Sequence, residues 1–485
     1  MFRLFELFTF CFNIFLCQSQ LFLTSNLPRW KSVDRSAGSG ERLILTELIE
    51  SGEDYLARKR ARVDEKYFLD VVSYSGYFTV DDEHQSNLFF WFFPAEGTEH
   101  LYQEDVQEDG DDDYNEDVRF HQADNDESDD NRPVVLWLQG GPGSSSLFGL
   151  FTENGPFFIN DDRISIRKNP YSWHTKYNLI FIDNPVGTGF SFTDPNGYCE
   201  NITQVAKHLY SGLGQFFQLF PTLALNPFYI TGESFAGKYI PAIGYEIYER
   251  NKIEDFQINL QGLALGNALS DPYNMLNYGD FAYQTGLVDE IGWRSMKIFE
   301  HLAKLYINEP IGKIYWDAQL GAFIEASNYS NVYNILEPQA LVFDSFVKFM
   351  NQPHIRRAVH VGNQEFAHPH IVYFNLLTDF MTTAIHWTEK LLNEGLRIMY
   401  YSGNMDLIVA YPLSEEAYHR MKWDGADVYR TAKRNAFYVN DTLKGYVKKA
   451  NNFYDVVILN AGHMVPTDAP AAALALLDGF IQNTL

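Results

Sequence analysis

FYIT (Phe228–Thr231), GESFAG (Gly232–Gly237) and KYIPAIGYEIYERN (Lys238–Asn251) follow one another without a break. Four β-prone residues run into small residues around Ser234, and these run into a stretch of helical character, so the segment reads as strand, sharp turn, helix. Outward from it the same kind of strand recurs. PVVLWL (Pro133–Leu138), NLIFID (Asn178–Asp183), LQGLALGN (Leu260–Asn267), RIMYYS (Arg397–Ser402) and YDVVILN (Tyr454–Asn460) are short, apolar and spaced by helical stretches. That alternation predicts an α/β architecture, a mostly parallel central sheet flanked by helices. VVSYSGYFTV (Val71–Val80) and SNLFFWFF (Ser86–Phe93) read as antiparallel strands ahead of it. Between about 270 and 396 no comparable strand occurs, and the stretch, rich in Tyr, Phe and Met, reads as a helical cap inserted into the sheet.

The chain has 485 residues, 46% apolar and 16% aromatic, which suits one large body with appended pieces and excludes a disordered chain. Residues 1–19 carry Arg3, an apolar run and then small polar residues, and read as a signal peptide. Glu6 interrupts the run, so an anchoring helix is the weaker reading, and no later stretch is apolar enough to span a bilayer. Cys11 and Cys17 would leave with the signal, so Cys199 has no partner for an intrachain disulfide. Asn201-Ile-Thr, Asn328-Tyr-Ser and Asn440-Asp-Thr are glycosylation sequons. Together these place the chain in the secretory pathway, secreted or held in an acidic, lysosome-like compartment. Residues 20–70 form an N-terminal segment and a candidate pro-segment, and Arg58–Arg62 (RKRAR) is either an exposed helix end or a processing site. The main domain is expected over 71–485.

The formal net charge of −26 argues against nucleic acid as a partner, but half of it is local. Glu104–Asp130 holds fourteen acidic residues against Arg119 alone, which is 13 of the 26 net charges. Such a run cannot bury enough apolar surface to offset its ordering entropy, so residues 96–131 read as a disordered acidic insertion. A calcium loop is the weaker reading, because the glycine turn and closing glutamate of an EF-hand are missing.

A serine on a strand-to-helix turn is a nucleophile elbow when its neighbours are small enough to let Oγ stand clear, as Gly232 and Ala236 are. Its hydroxyl needs a base, and the base needs a third group to hold its tautomer. Asp406 follows RIMYYS and His463 follows YDVVILN, and the order Ser, Asp, His is that of the α/β-hydrolase fold. PVVLWL runs into QGGPGSSS (Gln139–Ser146), a glycine-rich loop suited to donating backbone N–H groups to an oxyanion. A phosphate cradle would need the lysine that this loop lacks. His368 and His370 have no third ligand at a metal spacing, so no metal is expected.

These residues resemble the serine carboxypeptidases, and within them the vitellogenic carboxypeptidase-like branch. The match is carried by LWLQGGPGSSSLFGLFTENGP (Leu136–Pro156), FIDNPVGTGFSF (Phe181–Phe192), TGESFAGKYIPA (Thr231–Ala242) and GHMVPTDAP (Gly462–Pro470), and it extends from about Val71 to the C-terminus. The resemblance implies a triad of Ser234, Asp406 and His463, with the amides of Gly141 and Phe235 as the oxyanion hole. It also implies that Gln139, the amide of Gly140, Glu153 and Glu233 receive the terminal carboxylate of a peptide, which makes the activity that of an exopeptidase. Two carboxylates facing a third cannot all ionise, so one of Glu153 and Glu233 should be protonated with substrate bound, and an acidic working range is expected.

The chain departs from the family in having Gln139 for the usual Asn, Phe235 for Tyr and Ser144 for Cys; the longer amide of Gln139 leaves the carboxylate geometry as the least constrained part. The partners implied are peptide or protein C-termini, with no cofactor, no nucleic acid and no membrane, and a homodimer is left open. The rival readings are an acyltransferase of the same fold, a catalytically silent binding or storage protein, and a lipase or esterase, which would have no use for paired glutamates beside the nucleophile.

Overall fold

The computed structural model describes residues 38–102, 131–339 and 342–485. The stretch read as a signal peptide and most of the acidic insertion lie outside the described residues.

Twelve strands are described. In chain order they are β1 (Tyr74–Asp81), β2 (Ser86–Phe93), β3 (Val134–Leu138), β4 (Phe157–Ile159), β5 (Ile166–Lys168), β6 (Asn178–Ile182), β7 (Phe228–Glu233), β8 (Leu260–Gly266), β9 (Arg397–Gly403), β10 (Arg434–Val439), β11 (Thr442–Ala450) and β12 (Phe453–Ile458). β4 and β5 make a separate hairpin, and the other ten form one sheet in the order β1-β2-β6-β3-β7-β8-β9-β12-β11-β10. From β6 to β12 neighbours are parallel, and the two strands at each edge are antiparallel.

The central strands are apolar throughout because both faces are covered. In β3, Val134, Leu136 and Leu138 enter one core while Val135 and Trp137 enter the other. β2 divides in the same way, Leu88, Phe90 and Phe92 against Phe89, Trp91 and Phe93. The first core is closed by helices Ile202–Leu219, Ala236–Arg250 and Ile385–Asn393, and the second by Leu147–Thr152 and Pro470–Ile481. Cys199, the one cysteine among the described residues, is buried in the first core with its Sγ 3.4 Å from His208 Nδ1.

The strands expected from the sequence are present, with three differences in extent. The boundary drawn at residue 71 is not a break in packing. Helices Thr46–Glu50 and Asp54–Ala61 lie against the body, Leu45 and Ala57 are in the first core, and Leu43 and Leu45 exchange hydrogen bonds with Tyr77. Arg58 donates to Leu219 O at 2.8 Å, and Lys59 and Arg60 are exposed in the last turn of the second helix. The cap is shorter than 270–396, because helix Ile385–Asn393 belongs to the body: Leu391 packs toward Gly244 of the helix after Ser234, and the chain then enters β9. The rest of the stretch expected to form a cap holds helices Tyr278–Gln284, Glu290–Leu305 and Pro310–Ser327, with short turns beyond them.

The third difference is the hairpin β10–β11, which pairs with β12 at the sheet edge and was not expected. Its strand β10 is largely exposed, so it lacks the apolar run that marks the central strands. Its turn, Asn440-Asp441, has both residues at positive φ, the conformation of a tight hairpin.

Candidate active site

β7 ends at Glu233 and the next helix begins at Ala236, so the chain reverses over Ser234 and Phe235. Ser234 has φ +62°, a left-handed conformation that costs a non-glycine residue energy and is held by its surroundings. Ser234 N donates to Gly266 O at 3.0 Å, and Ser234 O accepts from Gly237 N and Leu269 N, both at 2.9 Å. The small neighbours are required sterically: a Cβ on Gly232 would sit 2.1 Å from Leu138 O.

Asp406 and His463 lie on the loops after β9 and β12, both buried. Asp406 Oδ2 is 2.7 Å from His463 Nδ1 and accepts from Asn267 Nδ2 at 2.7 Å, while Oδ1 accepts from Val409 N at 3.2 Å. With Nδ1 turned to the Asp406 carboxylate, Nε2 is the ring nitrogen left over for another partner. Asn267 was not singled out from the sequence. It sits at the end of β8 with φ +39°, and its Oδ1 accepts from Gly403 N at 3.1 Å, so it ties the Asp406 loop to the neighbouring strand.

The loop Gln139–Ser146 leaves β3 beside the elbow. A Cβ on Gly140 would lie 2.6 Å from Phe235 N and 2.7 Å from Ser234 Cβ, so the loop backbone abuts the serine. Gly141 and Gly143 have φ +108° and +83°, conformations open to glycine. Asp183 anchors this loop: its Oδ1 accepts from Ser145 Oγ at 2.5 Å and Ser146 N at 3.0 Å, and its Oδ2 from Phe190 N at 2.8 Å. Burial pushes the Asp183 carboxyl up to about 6. The sequence does not mark Asp183 either, since an aspartate after a buried strand looks like an ordinary turn residue.

Gln139, Glu153 and Glu233 come together in the interior. Gln139 Nε2 donates to Glu233 Oε1 at 2.6 Å, and Gln139 Oε1 accepts from Trp137 Nε1 at 2.9 Å, which fixes the amide orientation. Both glutamates are buried, and neither Glu153 oxygen nor Glu233 Oε2 makes a hydrogen bond of ordinary geometry. Burial raises Glu153 to about 8; burial and the adjacent Glu153 charge raise Glu233 well above the usual carboxyl range. Among the described residues no group of three or more His, Cys, Asp or Glu could hold a metal ion, and His368 and His370 stack with ring centroids 5.7 Å apart. Asn328 and Asn440 are exposed, whereas Asn201 is half-buried and caps a helix by accepting from Gln204 N at 2.9 Å. No described helix is long and apolar enough to cross a membrane.

The sheet order, the elbow and the loops at the strand ends define the class, an α/β-hydrolase. Residues 112–483 match the peptidase S10 family, described as serine carboxypeptidase. The venom serine carboxypeptidase of Apis mellifera is 37% identical over 94% of this chain and 94% of its own length. The vitellogenic carboxypeptidase of Aedes aegypti is 37% identical over 93% and 92%, and the probable serine carboxypeptidase CPVL of Homo sapiens 37% identical over 95% and 94%. The chain belongs to the serine carboxypeptidase family and is a serine-type exopeptidase. The crystal structure of Kex1Δp, a prohormone-processing carboxypeptidase from Saccharomyces cerevisiae, shares the fold, with a TM-score of 0.73, 24% identity and coverage of 88% of this chain and 96% of that one.

Proposed function

We propose that Ser234, Asp406 and His463 are the catalytic triad and that the reaction runs through an acyl-enzyme at acidic pH. Ser234 Oγ attacks the carbonyl of the last peptide bond as its proton passes to His463 Nε2, and Asp406 stabilises the imidazolium. The amides of Gly141 and Phe235 donate to the oxyanion. His463 returns the proton to the leaving amine, and water repeats the sequence to release the shortened peptide. Gln139, the amide of Gly140, Glu153 and Glu233 receive the terminal carboxylate.

The observation that carries this reading is the buried contact of Gln139 with Glu233, the residue before Ser234, with Glu153 close enough for its charge to act on Glu233. A neutral carboxyl can donate to a substrate carboxylate, and an ionised one repels it. With Glu153 raised to about 8, the pair favours binding at acidic pH. An acidic secretory compartment or secretion suits this chemistry, and exposed Asn328 and Asn440 are the better placed glycosylation sites.

The test is mass spectrometry of a blocked N-acyl peptide incubated with the enzyme at about pH 5. Stepwise loss of C-terminal residues is expected, abolished by Ser234→Ala and by amidation of the peptide C-terminus. A transfer product with an added alcohol or amine would indicate an acyltransferase, and an unchanged peptide a silent binding protein.

A further inference from the structure

The geometry points to Tyr333 as a positioning residue of the reaction, one that holds the His463 imidazole and ties the cap to both loops that carry the base and its partner. The inference rests on the triad proposed above. The contact from His463 Nδ1 to Asp406 fixes one edge of the imidazole and leaves the remaining twist of the ring plane to packing. The Tyr333 ring limits that twist: its centroid is 5.4 Å from that of His463 at an interplanar angle of 67°. Phe343 supports Tyr333 from another side, at 5.2 Å and 71°. Steeply inclined aromatic pairs at such distances are favourable and directional.

The backbone around Tyr333 is clamped between the two loops. His463 N donates to Tyr333 O at 2.7 Å. Leu407 N and Ile408 N, just after Asp406, donate to Val332 O at 3.0 Å each, and Ile335 N donates to Met405 O at 3.0 Å. Asn334 Nδ2 and Gly462 N both donate to Asp468 Oδ2, at 3.0 and 2.7 Å. A Cβ on Gly462 would lie 2.4 Å from Tyr333 O, so the approach is as close as glycine permits. Residues 331–335 therefore set the separation of the Asp406 and His463 loops, and the Tyr333 ring sets the imidazole angle.

The experiment compares wild type, Tyr333→Leu and Tyr333→Phe by two readouts: labelling of Ser234 with a fluorophosphonate, which needs the activated serine but no peptide, and steady-state peptide hydrolysis. Tyr333→Leu is expected to lower the labelling rate and kcat about tenfold or more while KM stays within about twofold, because a misplaced base slows the step without weakening binding. Tyr333→Phe keeps the ring and is expected to recover both to within about threefold. If Tyr333→Leu does not fold, Tyr333→Met fills similar space without a ring and takes its place. Unchanged labelling by the ring-less variant, a loss confined to KM, or a Phe variant as impaired as Leu would each overturn the inference. Failure of wild type itself to label at Ser234 would instead remove the triad reading, and this inference with it.

Discussion

Glu153 and Glu233 bury two carboxyl groups beside each other, and in the mechanism proposed above the cost of ionising them there falls on substrate binding. As pH rises through about 8, Glu153 ionises and repels the incoming carboxylate, so the KM for a peptide should rise over that range with a smaller change in kcat. Glu153→Gln stays neutral and should blunt the rise, which a pH series of KM on both proteins measures. Glu153→Ala removes the partner altogether and should raise KM about tenfold to a hundredfold at pH 5. Asn267→Leu deletes a donor to the Asp406 carboxylate and should lower kcat about tenfold, with KM little changed. The triad candidates were legible because three chemically matched residue types stood at successive strand ends. Asn267 and Asp183 were not, since an amide or carboxylate after a strand has the same local pattern whether it caps a turn or braces a catalytic loop.

The loop Gln139–Ser146 and the elbow meet backbone to backbone, which leaves no room for a side chain at Gly140. Gly140→Ala should separate the two and lower kcat about a hundredfold or more through the oxyanion donors, while circular dichroism reports a folded chain. Central strands were legible as continuous apolar runs because both their faces are covered. The β10–β11 hairpin was not, because its exposed strand carries polar residues, although Asn440-Asp441 was a usable turn signal.

At the scale of the whole molecule, buried titratable groups make stability depend on pH. Glu153, Glu233, Asp183 and Asp455 are raised by burial, so the stability they contribute is present below the unfolded carboxyl values and is lost as pH rises toward their folded ones, about 6 for both aspartates and about 8 for Glu153. His174 and His360, lowered to about 4 by burial, act oppositely, losing stability as pH falls from the unfolded histidine value. Lys238, lowered to about 7 by burial, adds stability only as pH climbs from there toward the unfolded lysine value. Glu153→Gln removes one of these raised carboxyls, so the fall in Tm between about pH 5 and 8 should be shallower in the variant than in the wild type, which a calorimetric pH series on both proteins measures; an equally steep fall would contradict the assignment. The integration of residues 43–63 into the body was the least legible feature at this scale, because two short helices with mostly polar sequences show no long apolar face to announce their docking site.

The Cys199 thiol is buried and pushed up to about 12 by desolvation, so among the described residues an alkylating reagent meets almost no thiolate while the fold is intact. Alkylation at Cys199 must then wait for the first core to open, and its rate, read by mass spectrometry at that residue, becomes a clock for the opening. The molecule carries its own unfolding reporter, one that can be read with peptide bound and with no added label.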